Sequence, residues 1–191
     1  MWLRRPTTDE VNDYLHYMEH RPLSYFHVGA TATDAQPPNY QLDFTRSRLG
    51  DGRQIFERTC EAIRSWRMFD LPWILLAWPH SPIERNAIVA TVIRFGGLWW
   101  PNACRIVYTI EEQQPPTRYG FAYGTLLGHM ERGEERFLVE LLPDGSVRFE
   151  IRAFSQPARW LSRAAFPLVR RAQRRFFRDA HQAILRAVAE S

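Results

Sequence analysis

The sequence predicts an α+β fold, a curved antiparallel sheet of about seven strands wrapped around a long C-terminal helix, with an N-terminal helical extension. Three observations carry this. Alternating or β-branched runs recur between residues 41 and 154, mostly separated by glycine or proline turns, so successive strands read as hairpins. One helical pattern, residues 53–69, interrupts them after the first strand. The last third then carries an apolar stripe at helical spacing, from about Ala158 to Glu190.

Thr7 and Glu10 have the spacing of a capping box, and Val11, Tyr14, Leu15 and Met18 fall on one face of the helix that follows. Arg21-Pro22 ends that helix, and a loop of small residues and prolines runs from Gly29 to Asn39. Residues 1–24 are therefore read as the extension and 25–191 as a single domain. Gln41 to Arg48 alternates as a strand and closes at Gly50-Asp51-Gly52. Ile55, Phe56, Cys60, Ile63 and Trp66 give the next helix, stopped by Asp70 and Pro72. Strands are predicted at Trp73–Trp78, Ala87–Phe95, Cys104–Glu111, Tyr119–Leu126, Glu135–Leu142 and Ser146–Phe154. Gly96-Gly97, Pro101-Asn102 and Pro143-Asp144-Gly145 serve as breaks. In the last strand Val147, Phe149, Ile151 and Ala153 point one way, leaving Arg148, Glu150 and Arg152 on an expected wet face. Leu161, Ala164, Leu168, Ala172, Phe176, Ala180, Ile184 and Val188 form the stripe of the terminal helix, which Pro167 either kinks or restarts.

Composition narrows the function classes. All 25 basic residues are arginine and the net charge is +4, so any anion site would use guanidinium forks. Cys60 and Cys104 match no zinc or redox spacing and read as buried apolar residues. Glycine-rich phosphate loops, a nucleophile elbow and an EF-hand loop are absent from the sequence. The first residues lack the apolar core of a signal peptide, and the longest nearly apolar run, Leu71 to Trp78, is too short to span a membrane. The expectation is a soluble, cytoplasmic protein with no cofactor and no metal; oligomeric state is left open.

Five spaced motifs carry a family resemblance: Val28-Gly29-Ala30-Thr31, Trp66-Arg67-Met68-Phe69-Asp70-Leu71, Cys104-Arg105-Ile106-Val107-Tyr108, Phe121-Ala122-Tyr123-Gly124-Thr125-Leu126, and Gly128-His129 followed by Gly133-Glu134-Glu135-Arg136-Phe137. Together they resemble the bacterial and plant family called "domain of unknown function nineteen-ninety", from about Tyr25 to Val188. The resemblance implies no activity and no catalytic residue. The order of strands and terminal helix also resembles the START-like, birch-pollen-allergen-like helix-grip (SRPBCC) superfamily.

Candidate site residues cluster in the segment Tyr123–Phe137. Along the Tyr119–Leu126 strand, Gly120, Ala122 and Gly124 leave one face nearly bare, suited to close approach of another element. On the next strand Glu135 has the parity of Phe137, Val139 and Leu141, hence points inward, whereas Glu134 is expected in solvent. An inward glutamate either pairs with an arginine such as Arg105 and fixes the sheet, contacts a ligand, or serves as an acid or base. His129 is expected near a hairpin tip, as a residue switching charge at a pocket mouth or, less in keeping with its spacing, a metal ligand. The tryptophans read as core more than cavity lining; Trp99 and Trp100 cannot both face one way.

Three readings follow. The first is a binding module for a small apolar or amphipathic molecule between sheet and C-terminal helix, with Arg105, Tyr108, Tyr123, Thr125, His129 and Glu135 as polar contacts. The second is an acid–base enzyme acting through Glu135 and His129. The third is a polyanion or partner-binding protein using Arg170, Arg174 and Arg178, a stripe at four-residue spacing; nucleic acid is disfavoured because no recognised nucleic-acid motif accompanies it.

Overall fold

Seven strands form one antiparallel sheet in a computed structural model that describes residues 1–33, 35–77, 81–158 and 166–190. They are β1 (Gln41–Asp51), β2 (Ile74–Ala77), β3 (Ile88–Phe95), β4 (Leu98–Glu112), β5 (Thr117–Thr125), β6 (Glu131–Leu141) and β7 (Ser146–Pro157). The order across the curved sheet is β1-β7-β6-β5-β4-β3-β2. Every link from β2 to β7 joins neighbours; only β1 pairs with a distant strand, β7. Helix α1 (Thr8–Met18) precedes β1, α2 (Arg53–Arg64) follows it, and α3 (Phe166–Glu190) ends the chain.

The inner face carries the main core. Phe121, Phe137, Phe149 and Ile151 meet Phe56 and Ile63 of α2 and Phe177, Ala180, Ile184 and Val188 of α3. The period-two alternation of the strands and the three-to-four spacing of α3 thus meet on one surface. Leu168 departs from the predicted stripe and is 54% exposed, while Leu161 and Ala164 lie outside the described residues. Buried on α3 is His181, whose ring nitrogens bond Ser47 Oγ (2.7 Å) and Thr45 Oγ1 (2.9 Å) on β1. Burial pushes it down to about 4, so it sits there neutral.

Four expectations are corrected. The helix after β1 ends at Arg64, because Trp66 takes a left-handed conformation (φ 55°) that turns Met68 and Phe69 into the core. Its indole Nε1 donates to Ser81 O at 2.8 Å and the ring packs edge-on to Phe121. Pro101-Asn102 is no break: β4 runs through it from Leu98, pairing Pro101 with Val92 of β3. Pairing between β4 and β5 begins only at Cys104, so proline sits where one side of the strand has no ladder partner in β5. Trp99 and Trp100 alternate within that strand, Trp99 packing with the α1 cluster on the outer face while its backbone pairs with Trp2, and Trp100 facing the inner side. β6 likewise begins earlier than expected, at Glu131.

The fourth correction concerns the outer face, which is not wet. Glu150 and Arg152 of β7 are buried; Glu150 accepts from Arg46 (2.6 Å) and from Arg136. The first 33 residues cover much of the rest. Helix α1, with both halves of its capping box formed, sets Val11, Leu15 and Met18 against Ala90, Val92, Ala103 and Leu126. Tyr25 packs with Tyr40 and Phe154 above β6 and β7.

Candidate ligand cavity

A cavity of about 220 Å³ separates the inner face of the sheet from the N-terminal half of α3. Its walls are largely aromatic and aliphatic: Trp66, Phe69, Trp73, Trp100 and Phe176 contribute, with Val169 and Ala172 on α3. Strand parity explains the polar remainder, since Glu131 and Glu135 are four residues apart on β6 and face the same side.

Glu135 stands in an apolar setting. Tyr123, directly opposite on β5, donates its hydroxyl to Glu135 Oε2. Burial, opposed by that hydrogen bond and reinforced by the charges of Glu131 and Asp43, pushes Glu135 up to about 8. Burial chiefly, with Glu135 adding to it, drives Tyr123 well above its ordinary value. Glu131 is pushed up to about 7 by burial, against the hydrogen bond from Gln173 Nε2 (2.5 Å) and the charge of Arg170. His129 Nδ1 accepts from the backbone N–H of Glu131 at 3.0 Å, which leaves the ring proton on Nε2. Burial holds this histidine down to about 4. Near neutral pH the cavity therefore presents a neutral imidazole beside two carboxyl groups that hold protons unusually tightly.

Two acceptors lack partners. Among the described residues, Glu131 Oε1 and Asn102 Oδ1 are buried and receive no hydrogen bond. Asn102 is only 4% exposed; its Nδ2 donates to Trp100 O (3.2 Å), which turns Oδ1 elsewhere.

The predicted site residues divide between two places. Tyr123, Thr125, His129 and Glu135 line the cavity. Thr125 is tied to Gly133 N (2.9 Å) and Ser24 Oγ (2.6 Å), fastening the mouth of the β5–β6 hairpin. Arg105 and Tyr108 do not line it. Arg105 donates to the carbonyls of Glu19 (2.7 Å) and Arg21 (3.1 Å), so it anchors the end of α1 rather than pairing with Glu135. Tyr108 belongs to a cluster on the opposite face around Glu134. That glutamate was expected in solvent, but is 2% exposed. It accepts from Tyr25 OH (2.7 Å), Gly29 N (2.7 Å), Thr31 N (3.0 Å) and Thr31 Oγ1. Since Thr31 spends its hydroxyl proton on Glu134, Tyr108 OH donates to Thr31 Oγ1 at 2.7 Å. The bare face of β5 serves this same strap: a Cβ on Gly124 would stand 2.1 Å from the Tyr25 hydroxyl.

The arginine stripe is also divided. Arg170 is nearly buried and clamps Asp43 of β1 with both terminal nitrogens (2.5 and 2.6 Å). Arg175 lies over the Trp73 ring and, with Arg178, reaches Asp179. Only Arg171 and Arg174 of the five lack an acidic partner among the described residues.

Sequence reading missed Glu131, Asn102 and Gln173. Glu131 shares the parity of Glu135 and was recoverable had β6 been extended across Gly133; Asn102 was hidden by the apparent Pro101 turn. No group of three or more metal-ligating side chains occurs among the described residues. None of the described helices is long and apolar enough to cross a membrane.

A curved antiparallel sheet gripping a C-terminal helix over an internal cavity is a helix-grip fold, of the kind seen in birch-pollen-allergen-like structures. The solved structure of Ara h 8.0201 aligns with a TM-score of 0.50 at 14% identity, over 80% of this chain and 100% of that one. The chain belongs to the family described as Domain of unknown function (DUF1990), whose profile matches residues 24–183. A UPF0548 protein of Deinococcus radiodurans is 36% identical over 198 residues, covering 97% of each chain. A UPF0548 protein of Dictyostelium discoideum is 29% identical over 206 residues, covering 98% of this chain and 95% of that one.

Proposed function

We propose that residues 25–191 form a ligand-binding domain that holds a small amphipathic molecule between the sheet and α3. The observation that carries this reading is the cavity itself: aromatic walls enclosing a few buried polar groups, two of them unpartnered, which is the usual make-up of a small-molecule site. The likeness to Ara h 8.0201 supports the architecture alone. A cytoplasmic setting belongs to the same proposal.

The test is to purify the protein from its own host and compare intact masses under native and denaturing conditions. A stoichiometric adduct released on unfolding supports the reading and supplies the ligand. A bare native mass, together with no binding of the neutral apolar dye N-phenyl-1-naphthylamine, counts against it.

Acid–base catalysis is the second reading. It is favoured by Glu135 and His129 lining one cavity, the first a protonated acid near neutral pH and the second a neutral imidazole. Turnover of the bound molecule that disappears in Glu135→Gln while binding persists would select it. The polyanion reading is weakened by the clamping of Arg170, and retention on heparin unchanged in an Arg171→Gln/Arg174→Gln variant would remove it.

A further inference from the structure

We propose that the ligand is an amphipathic amine, its ammonium group seated between Glu131 and Asn102 and its apolar body lying along Trp66, Phe69 and Phe176. The inference rests on the ligand-binding reading and gives that site its chemical class.

Sheet geometry brings the two acceptors to one place. Cys104 of β4 pairs with Thr125, the last residue of β5, and Gly124 beside it pairs with Glu134 of β6. Beyond that row β5 ends, while β4 and β6 continue to Asn102 and Glu131. Their backbones stand two strand spacings apart, about 10 Å, so their side chains face a gap that one small group can bridge. Both unpartnered atoms in the gap are acceptors, Glu131 Oε1 and Asn102 Oδ1. An ammonium carries three N–H donors and no acceptor, which matches this wall.

The surrounding charges point the same way. Arg170, whose charge acts on Glu131, is held by Asp43 through both terminal nitrogens. His129 is kept neutral by burial, and Gln173 Nε2 is shared between Glu131 and Ser155 Oγ (3.0 Å). Among the described residues neither Glu131 nor Glu135 forms an ion pair. An anionic ligand would face two carboxyl groups and, among the described residues lining the cavity, no arginine. A neutral alcohol offers one donor to two acceptors and adds an acceptor of its own. Only a cation converts the desolvated carboxyl of Glu131 into a paired charge.

The test uses a matched series: 4-phenylbutylamine, 4-phenylbutanol and 4-phenylbutyrate, titrated calorimetrically into the full chain at pH 7.5. The amine is expected to bind at least tenfold more tightly than either analogue, about 1.4 kcal/mol. Glu131→Gln, checked for an intact thermal transition, should narrow the amine-to-alcohol ratio to less than threefold; if that variant does not fold, Asn102→Ala carries the same comparison. Equal or tighter binding of the alcohol or the butyrate overturns the amine assignment while leaving the binding cavity standing. An amine preference that survives both substitutions overturns the proposed seat. Failure of all three compounds, and of N-phenyl-1-naphthylamine, removes the ligand-binding reading and this inference together.

Discussion

Glu134 and Glu135 are consecutive residues on one strand, withdrawn from water on opposite faces for opposite reasons, Glu134 fully buried and Glu135 part-buried against the cavity. Glu134 meets four donors delivered by residues 25–31, so every contact around it is a hydrogen bond aimed at a carboxylate. Glu135 meets one donor, Tyr123, and otherwise an apolar cavity, with Glu131 and Asp43 adding like charge. Burial alone therefore says little about a carboxyl group; the supply of donors decides whether it fastens the fold or stands ready for a ligand. A fastening site is complete in itself. The Glu135 face is incomplete, and its neighbours Glu131 and Asn102 even keep bare acceptors.

The largest test of this contrast is Glu134→Gln. The amide turns one acceptor into a donor that must face the N–H of Gly29 or Thr31, or the hydroxyl of Tyr25. A loss of roughly 4 kcal/mol is expected, on the scale of breaking a buried charged hydrogen-bond network. Urea denaturation measures it, and a loss under 1 kcal/mol would mean the strap holds by other contacts. Next in size is Gly124→Ala. Its methyl would collide with the Tyr25 ring, itself pinned to Glu134, and should cost about 2–3 kcal/mol by overpacking. Proteolysis within residues 20–33 should accelerate in step; unchanged protease resistance would show that the strap re-seats.

Glu135→Gln should have the reverse sign. Folding raises this carboxyl from 4.5 to about 8, so the folded state binds the proton more tightly than the unfolded chain. Its contribution to stability is then complete at low pH, falls as pH rises from about 4.5 to about 8, and is level above that. His129 and His181 act oppositely: each is lowered from 6.5 to about 4, so each costs stability as pH falls through that window. The wild-type profile mixes both, and the difference between wild type and variant isolates Glu135, whose charged surroundings are Glu131, Asp43 and, through Glu131, Arg170. Glutamine mimics the protonated carboxyl and can still accept from Tyr123. It should be near neutral at pH 5 and stabilising by roughly 2 kcal/mol at pH 8.5. Melting temperatures at the two pH values decide; equal shifts at both would show that Glu135 does not hold its proton.

The same pair shows what the sequence could and could not reveal. Alternation along β6 put Glu135 inside, because the pleat is a local property. It also put Glu134 on the other face, correctly, but nothing local says what lies over that face. The covering donors come from more than a hundred residues upstream, and no periodicity spans that distance. The motifs Val28-Gly29-Ala30-Thr31 and Gly133-Glu134-Glu135 looked separate and meet at one carboxylate. The seven strands and the gripping helix were legible because each rests on its own turn residues and stripe. Where the reading slipped, at Pro101 a proline sat where β4 has no ladder partner in β5, and at Gly133 a glycine sat inside β6 because a Cβ there would meet the Phe154 carbonyl of β7.

The smallest effect comes from the hydroxyls that serve the two carboxyl groups. Tyr108→Phe removes the donor to Thr31 Oγ1 and leaves Glu134 with all four of its own donors. The loss should be about 1 kcal/mol and independent of pH between 5 and 8.5, because no group that titrates in that range loses a hydrogen bond. Tyr123→Phe removes the one donor that lowers Glu135, so that carboxyl should rise further and the variant's stability should fall more steeply toward alkaline pH. Parallel denaturation profiles of the two variants across that range would overturn the division into a fastening carboxylate and a receptive one. A difference from wild type that is flat across this range for the first and tilted for the second would place the ionisable function of this sheet on its inner face.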